Sequence, residues 1–101
     1  MAFIKVAQSD EIAENSGRIF EVSPGRFVAL FNHGGSFYAL DNECPHEGGP
    51  LGEGDVQRGC VSCPWHGYRF DLATGACVNS ARLKVAKFPV RVEGGDILVD
   101  V

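Results

Sequence analysis

Two short mixed pairs, Cys44-Pro45-His46 and Cys63-Pro64-Trp65-His66, constrain this chain more than anything else in it. Sixteen residues, 47 to 62, lie between them. Each pair offers one soft thiolate and one imidazole, so a fold that brings the pairs together assembles a Cys2His2 donor set. Tetrahedral zinc and an iron–sulfur centre both use such sets. Structural zinc sites usually pair like with like, two cysteines and then two histidines. Here both pairs are mixed, which suits a two-iron centre between two loops: each loop gives its Cys to one iron and its His to the other. Zinc remains the alternative at this point. An all-cysteine cluster is a weaker one, because Cys44, Cys60, Cys63 and Cys77 lack the Cys-x4-Cys spacing of plant-type ferredoxins.

The rest of the chain reads as β-structure around these loops. Its 101 residues fit one domain, and 13 Gly and 5 Pro signal many turns. Helical periodicity is nearly absent. Only Asp10 to Asn15 reads as a helical turn, with Ser9 or Asp10 as N-cap. Strands are expected at Ile4–Ala7, Arg18–Val22, Phe27–Phe31, Phe37–Leu40, Cys60–Ser62, Tyr68–Asp71, Phe88–Glu93 and Ile97–Val101. The last two form a hairpin, since Val90 and Val92 alternate before Gly94-Gly95 and Ile97 and Val99 after it. Residues 41–80 are rich in Gly, Pro, Cys and His and poor in aliphatic side chains. The expectation is a small insert, organised by something other than a hydrophobic core, within an antiparallel β-sandwich base of residues 1–40 and 81–101.

Composition excludes several roles. Hydrophobic residues make up 45% and charged residues 22%, ordinary values for a globular domain. The net charge is −4 without Lys/Arg runs, which argues against nucleic-acid and anionic-membrane binding. No apolar run approaches the roughly 18–20 residues of a membrane span, and the first residues do not read as a secretory signal. The expected compartment is the cytoplasm, where cysteines serve as ligands or thiols more often than as disulfides.

The spacing Cys44-x-His46…Cys63-x-x-His66, with Cys63-Pro64-Trp65-His66-Gly67 as its second half, resembles the Rieske [2Fe–2S] motif. The chain length, flanking strands and cysteine-rich insert resemble whole Rieske-type ferredoxins, above all the ferredoxin components of aromatic-ring dioxygenases. The small subunit of assimilatory nitrite reductase is also similar. The resemblance implies an all-β Rieske fold and one [2Fe–2S] cluster per chain, with iron held by Cys44, His46, Cys63 and His66, each His through Nδ1. It implies a monomeric electron carrier rather than an enzyme, loaded by a flavin-containing NAD(P)H reductase and discharged by a terminal oxygenase. The alternative partner is a nitrite reductase large subunit. Imidazole in place of thiolate leaves the site less negative and raises its potential, to about −150 to +300 mV across Rieske centres against about −400 mV for plant-type ferredoxins. Membrane-complex Rieske proteins carry an extra cysteine in each loop, joined as a disulfide, and a Ser and a Tyr after the second loop whose hydroxyls donate to cluster sulfurs. The matching positions here are Gly49 and Trp65, and Tyr68 and Phe70, so a low potential is expected.

Other residues have plainer readings. Asp41, Glu43, Glu47, Glu53 and Asp55 stand without a Lys or Arg among residues 41–55, either a solvated loop or an acidic rim that steers basic partners. Cys60 and Cys77 read as small buried thiols, His33 as a solvent-facing turn residue, and Trp65 as packing, with a screen of the cluster from water or a part in the docking face as its alternatives. Pro45, Pro64 and Gly67 shape the loops.

Overall fold

The computed structural model describes residues 2–65 and 67–101. In chain order the strands are β1 (Phe3–Gln8), β2 (Ser16–Ser23), β3 (Arg26–His33), β4 (Ser36–Asp41), β5 (Asp55–Gln57), β6 (Cys60–Ser62), β7 (Arg69–Asp71), β8 (Lys87–Phe88), β9 (Val90–Glu93) and β10 (Asp96–Asp100). They form three antiparallel sheets, ordered β1-β10-β9, β2-β3-β4-β8 and β5-β6-β7. The expected all-β class is the one observed.

The arrangement follows from β3. Its run Val28-Ala29-Leu30-Phe31 is buried on both faces, and the period of two sends alternate side chains to opposite sides. Val28 and Leu30 join Ala7, Ile12, Ile97 and Val99 on the side of β1 and β10. Ala29 and Phe31 join Leu51, Val56, Val61, Phe70, Leu72 and Val85 on the other side. The neighbouring β4 divides likewise, with Ala39 on the first side and Leu40 on the second. One sheet thus serves two cores. Burying rings such as Phe31 and Phe70 completely stabilises the fold by about 1.5–3 kcal/mol each.

Residues 41–80 therefore do contain apolar packing, contrary to the expectation drawn from their composition. Their few large side chains point inward together and lean on Phe31 and Leu40 of the neighbouring sheet. Three further features depart from the sequence reading. The helical turn is a short 3-10 turn, Ser9–Glu11, closed by the Gln8 N–H donating to Oε2 of Glu11 at 2.7 Å. The expected strand Phe88–Glu93 is divided at Pro89: β8 pairs with β4 and β9 with β10, so the chain changes sheets at the residue that has no N–H to donate. β5 was not foreseen. Its connection to β6 is the two-residue turn Arg58-Gly59 with φ of 52° and 78°, and Arg in that left-handed position hides the usual Asn-Gly signal.

His33 also differs from its expected solvent-facing role. Its Nε2 accepts the Gly59 N–H at 2.9 Å, and its Nδ1 lies 2.6 Å from Oδ1 of Asn15. Because Nε2 accepts, Nδ1 carries the proton and donates. The ring joins the end of β3 to the tip of the β5–β6 hairpin.

Candidate metal centre

Two loops stand side by side, one leaving β4 and one joining β6 to β7. They are built on the same hydrogen-bond frame. In the first, the Cys44 carbonyl accepts the Gly48 N–H at 2.7 Å and the Cys44 N–H donates to the Gly49 carbonyl at 2.9 Å. In the second, the Cys63 carbonyl accepts the Gly67 N–H at 3.2 Å and the Cys63 N–H donates to the Tyr68 carbonyl at 2.7 Å. Both loops read Cys-Pro-x-x-Gly. Gly48 and Gly67 sit at φ of 76° and 73°, a left-handed conformation that a Cβ disfavours. The repeated pentapeptide is thus a sequence signal for the paired loops. The ligand spacing alone, x in one loop and x-x in the other, conceals it.

The frame turns the two cysteine side chains toward each other. Cys44 is 1% exposed and Cys63 2% exposed, and the thiols share a hydrogen bond. Burial, above all, pushes the Cys63 thiol up to about 11. Cys44 and the Glu47 carboxylate push the same way, and the Trp65 backbone N–H opposes them. Without a metal Cys63 is therefore a neutral thiol at neutral pH, and binding a metal must expel its proton. His46 is half-buried with Nδ1 buried, and its ring lies against Tyr68, with centroids 4.2 Å apart and planes at 40°. Thus three of the four expected ligand positions, Cys44, His46 and Cys63, fall on the paired loops. His66 lies outside the described residues.

Space at the thiols is tight. A Cβ on Gly49 would stand 2.8 Å from Sγ of Cys63 and 3.1 Å from the Trp65 ring. Gly49 therefore admits no side chain unless Cys63 or Trp65 shifts. An open hollow of about 500 Å³ adjoins the site, lined by His46, Gly67, Tyr68 and Asn79. Asn79, which sequence reading passed over, accepts the Arg69 N–H through Oδ1 at 2.7 Å. No local pattern marks it, because it reaches the site by pairing across β7.

Cys60 and Cys77 do not join the centre. Cys60 lies opposite Asp71 and Cys77 opposite Phe70, neighbouring positions of one strand, so the two cysteines occupy opposite faces of the sheet. This removes the all-cysteine cluster. Cys77 is buried as expected, whereas Cys60 is only half-buried. The Cys60 thiol is pushed up by burial and by Asp71, against a downward pull from Arg69.

Residues 2–89 match the Rieske [2Fe-2S] domain family. The chain belongs to that family. Its cofactor is the Rieske [2Fe–2S] cluster, and its role is electron transport. It is 38% identical over 87 residues to the 3-phenylpropionate/cinnamic acid dioxygenase ferredoxin subunit of Escherichia coli (strain K12), covering 84% of this chain and 82% of that protein. It is 43% identical over 74 residues to a Rieske domain-containing protein of Homo sapiens, covering 69% of this chain but 46% of the human protein. Among solved structures, the ferredoxin of carbazole 1,9a-dioxygenase from Nocardioides aromaticivorans IC177 superposes with a TM-score of 0.87 at 33% identity, over 98% of this chain and 97% of that one. A complex of reduced oxygenase and oxidized ferredoxin in carbazole 1,9a-dioxygenase contains a similar chain, with a TM-score of 0.88 at 26% identity over 96% and 100%. A putative NADH-dependent nitrite reductase small subunit from Mycobacterium tuberculosis gives 0.88 at 28%, over 97% and 93%.

Proposed function

We propose that this Rieske protein is a diffusing one-electron carrier. It takes electrons from an NAD(P)H-dependent flavin reductase and passes them singly to a terminal oxygenase. The observation that carries the reading is its likeness, along most of both chains, to the ferredoxin subunit of a dioxygenase. A neighbour of that kind has been seen in complex with its oxygenase. Cytoplasmic residence goes with this role and with thiols kept reduced for metal binding. Among the described residues, no helix is long and apolar enough to cross a membrane.

Cys44, His46, Cys63 and His66 are the residues we assign to the cluster. The donors fit it: two buried thiols in mutual contact, a buried imidazole Nδ1 two residues along the loop from Cys44, and a glycine where a side chain would strike Cys63 Sγ. When bound, the cluster supplies reversible one-electron storage at a potential set by mixed Cys/His ligation. The chain's own contribution is positional. The paired loops hold the thiols close, Tyr68 fixes the plane of His46, and burial keeps water from both sulfurs. The open hollow beside His46 gives a partner access to that side chain.

The large side chains exposed among the described residues are Phe27, Trp65, Val78 and Val92, and they belong to different segments. A permanently docked subunit needs a continuous apolar face, so this scatter favours the shuttle. The nitrite reductase reading keeps support from the likeness of the whole chain to that small subunit. Purification from the native host separates the two. A shuttle elutes as a coloured monomer that NADH and a flavin reductase reduce repeatedly. Co-elution with a large reductase subunit in fixed ratio would contradict the shuttle.

A further inference from the structure

The outer face of the β5-β6-β7 sheet and the edge beside it together carry more bases than acids, against the charge of the whole chain. The sheet's register fixes which side chains stand in line. Asp55 lies opposite Ser62, and Ser62 opposite Arg69. The Arg69 carbonyl accepts the Val78 N–H at 2.9 Å, which places Val78 next in the row. Their neighbours Val56, Val61, Phe70 and Cys77 are all buried, so this row points outward. On the same edge Lys84 pairs with Ala76, and Arg82 and Lys84 are exposed. The face therefore runs from a carboxylate at Asp55, through Arg69 with Asp71 two positions along the same strand, and an apolar step at Val78, to two cations.

Val78 is 50% exposed. Residues 55–89 hold five bases and two acids, Asp55 and Asp71, within a chain of net charge −4. Among the described residues no carboxylate forms an ion pair with Arg69, Arg82 or Lys84. The face also adjoins the centre. Ser62 precedes Cys63 and Arg69 follows Tyr68, while Asn79, next to Val78, holds the Arg69 N–H and lines the hollow with His46.

We propose that this face receives an acidic patch on the protein partner that exchanges electrons with the cluster, with Val78 as the apolar contact inside a basic edge. An exposed aliphatic group among unpaired cations, beside the hollow at His46, has the make-up of an interface with a dry centre and a charged rim. Unpaired cations attract carboxylates over several ångströms and orient the encounter even when the net charges repel. The inference rests on the electron-carrier reading.

The test uses the cluster-loaded protein, reduced, freed of excess reductant and oxidised in stopped flow by ferricyanide, a small trianion standing in for an acidic surface. R69E/K84E is compared with K5E/R91E, which makes the same change in net charge on β1 and β9 of another sheet. The expected result is that R69E/K84E slows ferricyanide by on the order of tenfold more than K5E/R91E at low ionic strength. The gap should close in high salt and invert with the trication tris(phenanthroline)cobalt(III). R69Q/K84Q should show a smaller effect of the same sign, which guards against a folding defect in the reversal. The EPR spectrum should not move in any variant, and rates are compared after correction for each variant's own midpoint. Equal slowing by both reversals would overturn the docking face. Absence of a reducible iron–sulfur signal in the unaltered protein would instead overturn the carrier reading.

Discussion

A methyl group on Gly49 would press on Sγ of Cys63 and on the Trp65 ring at once. Gly49→Ala should therefore displace one of them, at a cost of about 1–3 kcal/mol, and iron bound per chain should fall with the thermal midpoint. Full iron content and unchanged melting would contradict the crowding. The half-buried Cys60 makes a second test. Its pKa is raised by burial and by Asp71, so its thiolate is scarce at pH 8 and iodoacetamide should label it more slowly than free cysteine. Arg69 pulls that pKa down, so Arg69→Gln should slow labelling further, whereas faster labelling would reverse the sign assigned to Arg69. Neighbouring donors set the potential. Phe70 is fully buried in the core and has no hydroxyl, and Gly49 excludes a loop disulfide. A dye-equilibrated titration should place the midpoint in the lower part of the Rieske span, and a value above about +100 mV within that span would contradict it.

Among the elements, the β5–β6 hairpin depends on a residue outside its own sheet. His33, at the end of β3, takes the Gly59 N–H, while the Gly59 carbonyl accepts the Leu72 N–H at 2.9 Å. His33→Ala leaves a partly buried donor unmet and should cost about 1–3 kcal/mol, read as a lower denaturant midpoint with unchanged m-value. Unaltered stability would mean that the hairpin holds without the clasp. His33 also shows where sequence reading stops. Asn-His-Gly-Gly correctly signals a turn, but a partner 26 residues away is set by how two sheets stack. Strands with clean alternation were legible, as in the β9–β10 hairpin, where Val92 faces Ile97 and Val90 faces Val99. Pro89 was visible as a residue, yet its effect depends on which sheets lie to either side. The candidate centre was legible as spacing. Its matched frames are marked only by the repeated Cys-Pro-x-x-Gly, which the unequal ligand spacing conceals. Asn79 was not legible, because it arrives by pairing across β7.

At the scale of the whole molecule, the middle sheet divides the labour. Its β1 and β10 side is ordinary sandwich packing, and its other side packs on the short sheet, so that the candidate loops leaving β4 and joining β6 to β7 stand together. The chain invests its glycines and prolines in turns and its scarce large side chains in two cores. Between those rigid layers the thiols of Cys44 and Cys63 are buried without being remote from the surface. This geometry suits one-electron exchange at a fixed centre: it holds ligands still and leaves one edge open. The most direct measurement is EPR of the dithionite-reduced protein. Mixed Cys/His ligation predicts a rhombic signal with average g below that of all-cysteine [2Fe–2S] proteins. A colourless sample containing zinc and no iron, or a signal with the average g of an all-cysteine cluster, would contradict the ligation proposed for Cys44, His46, Cys63 and His66.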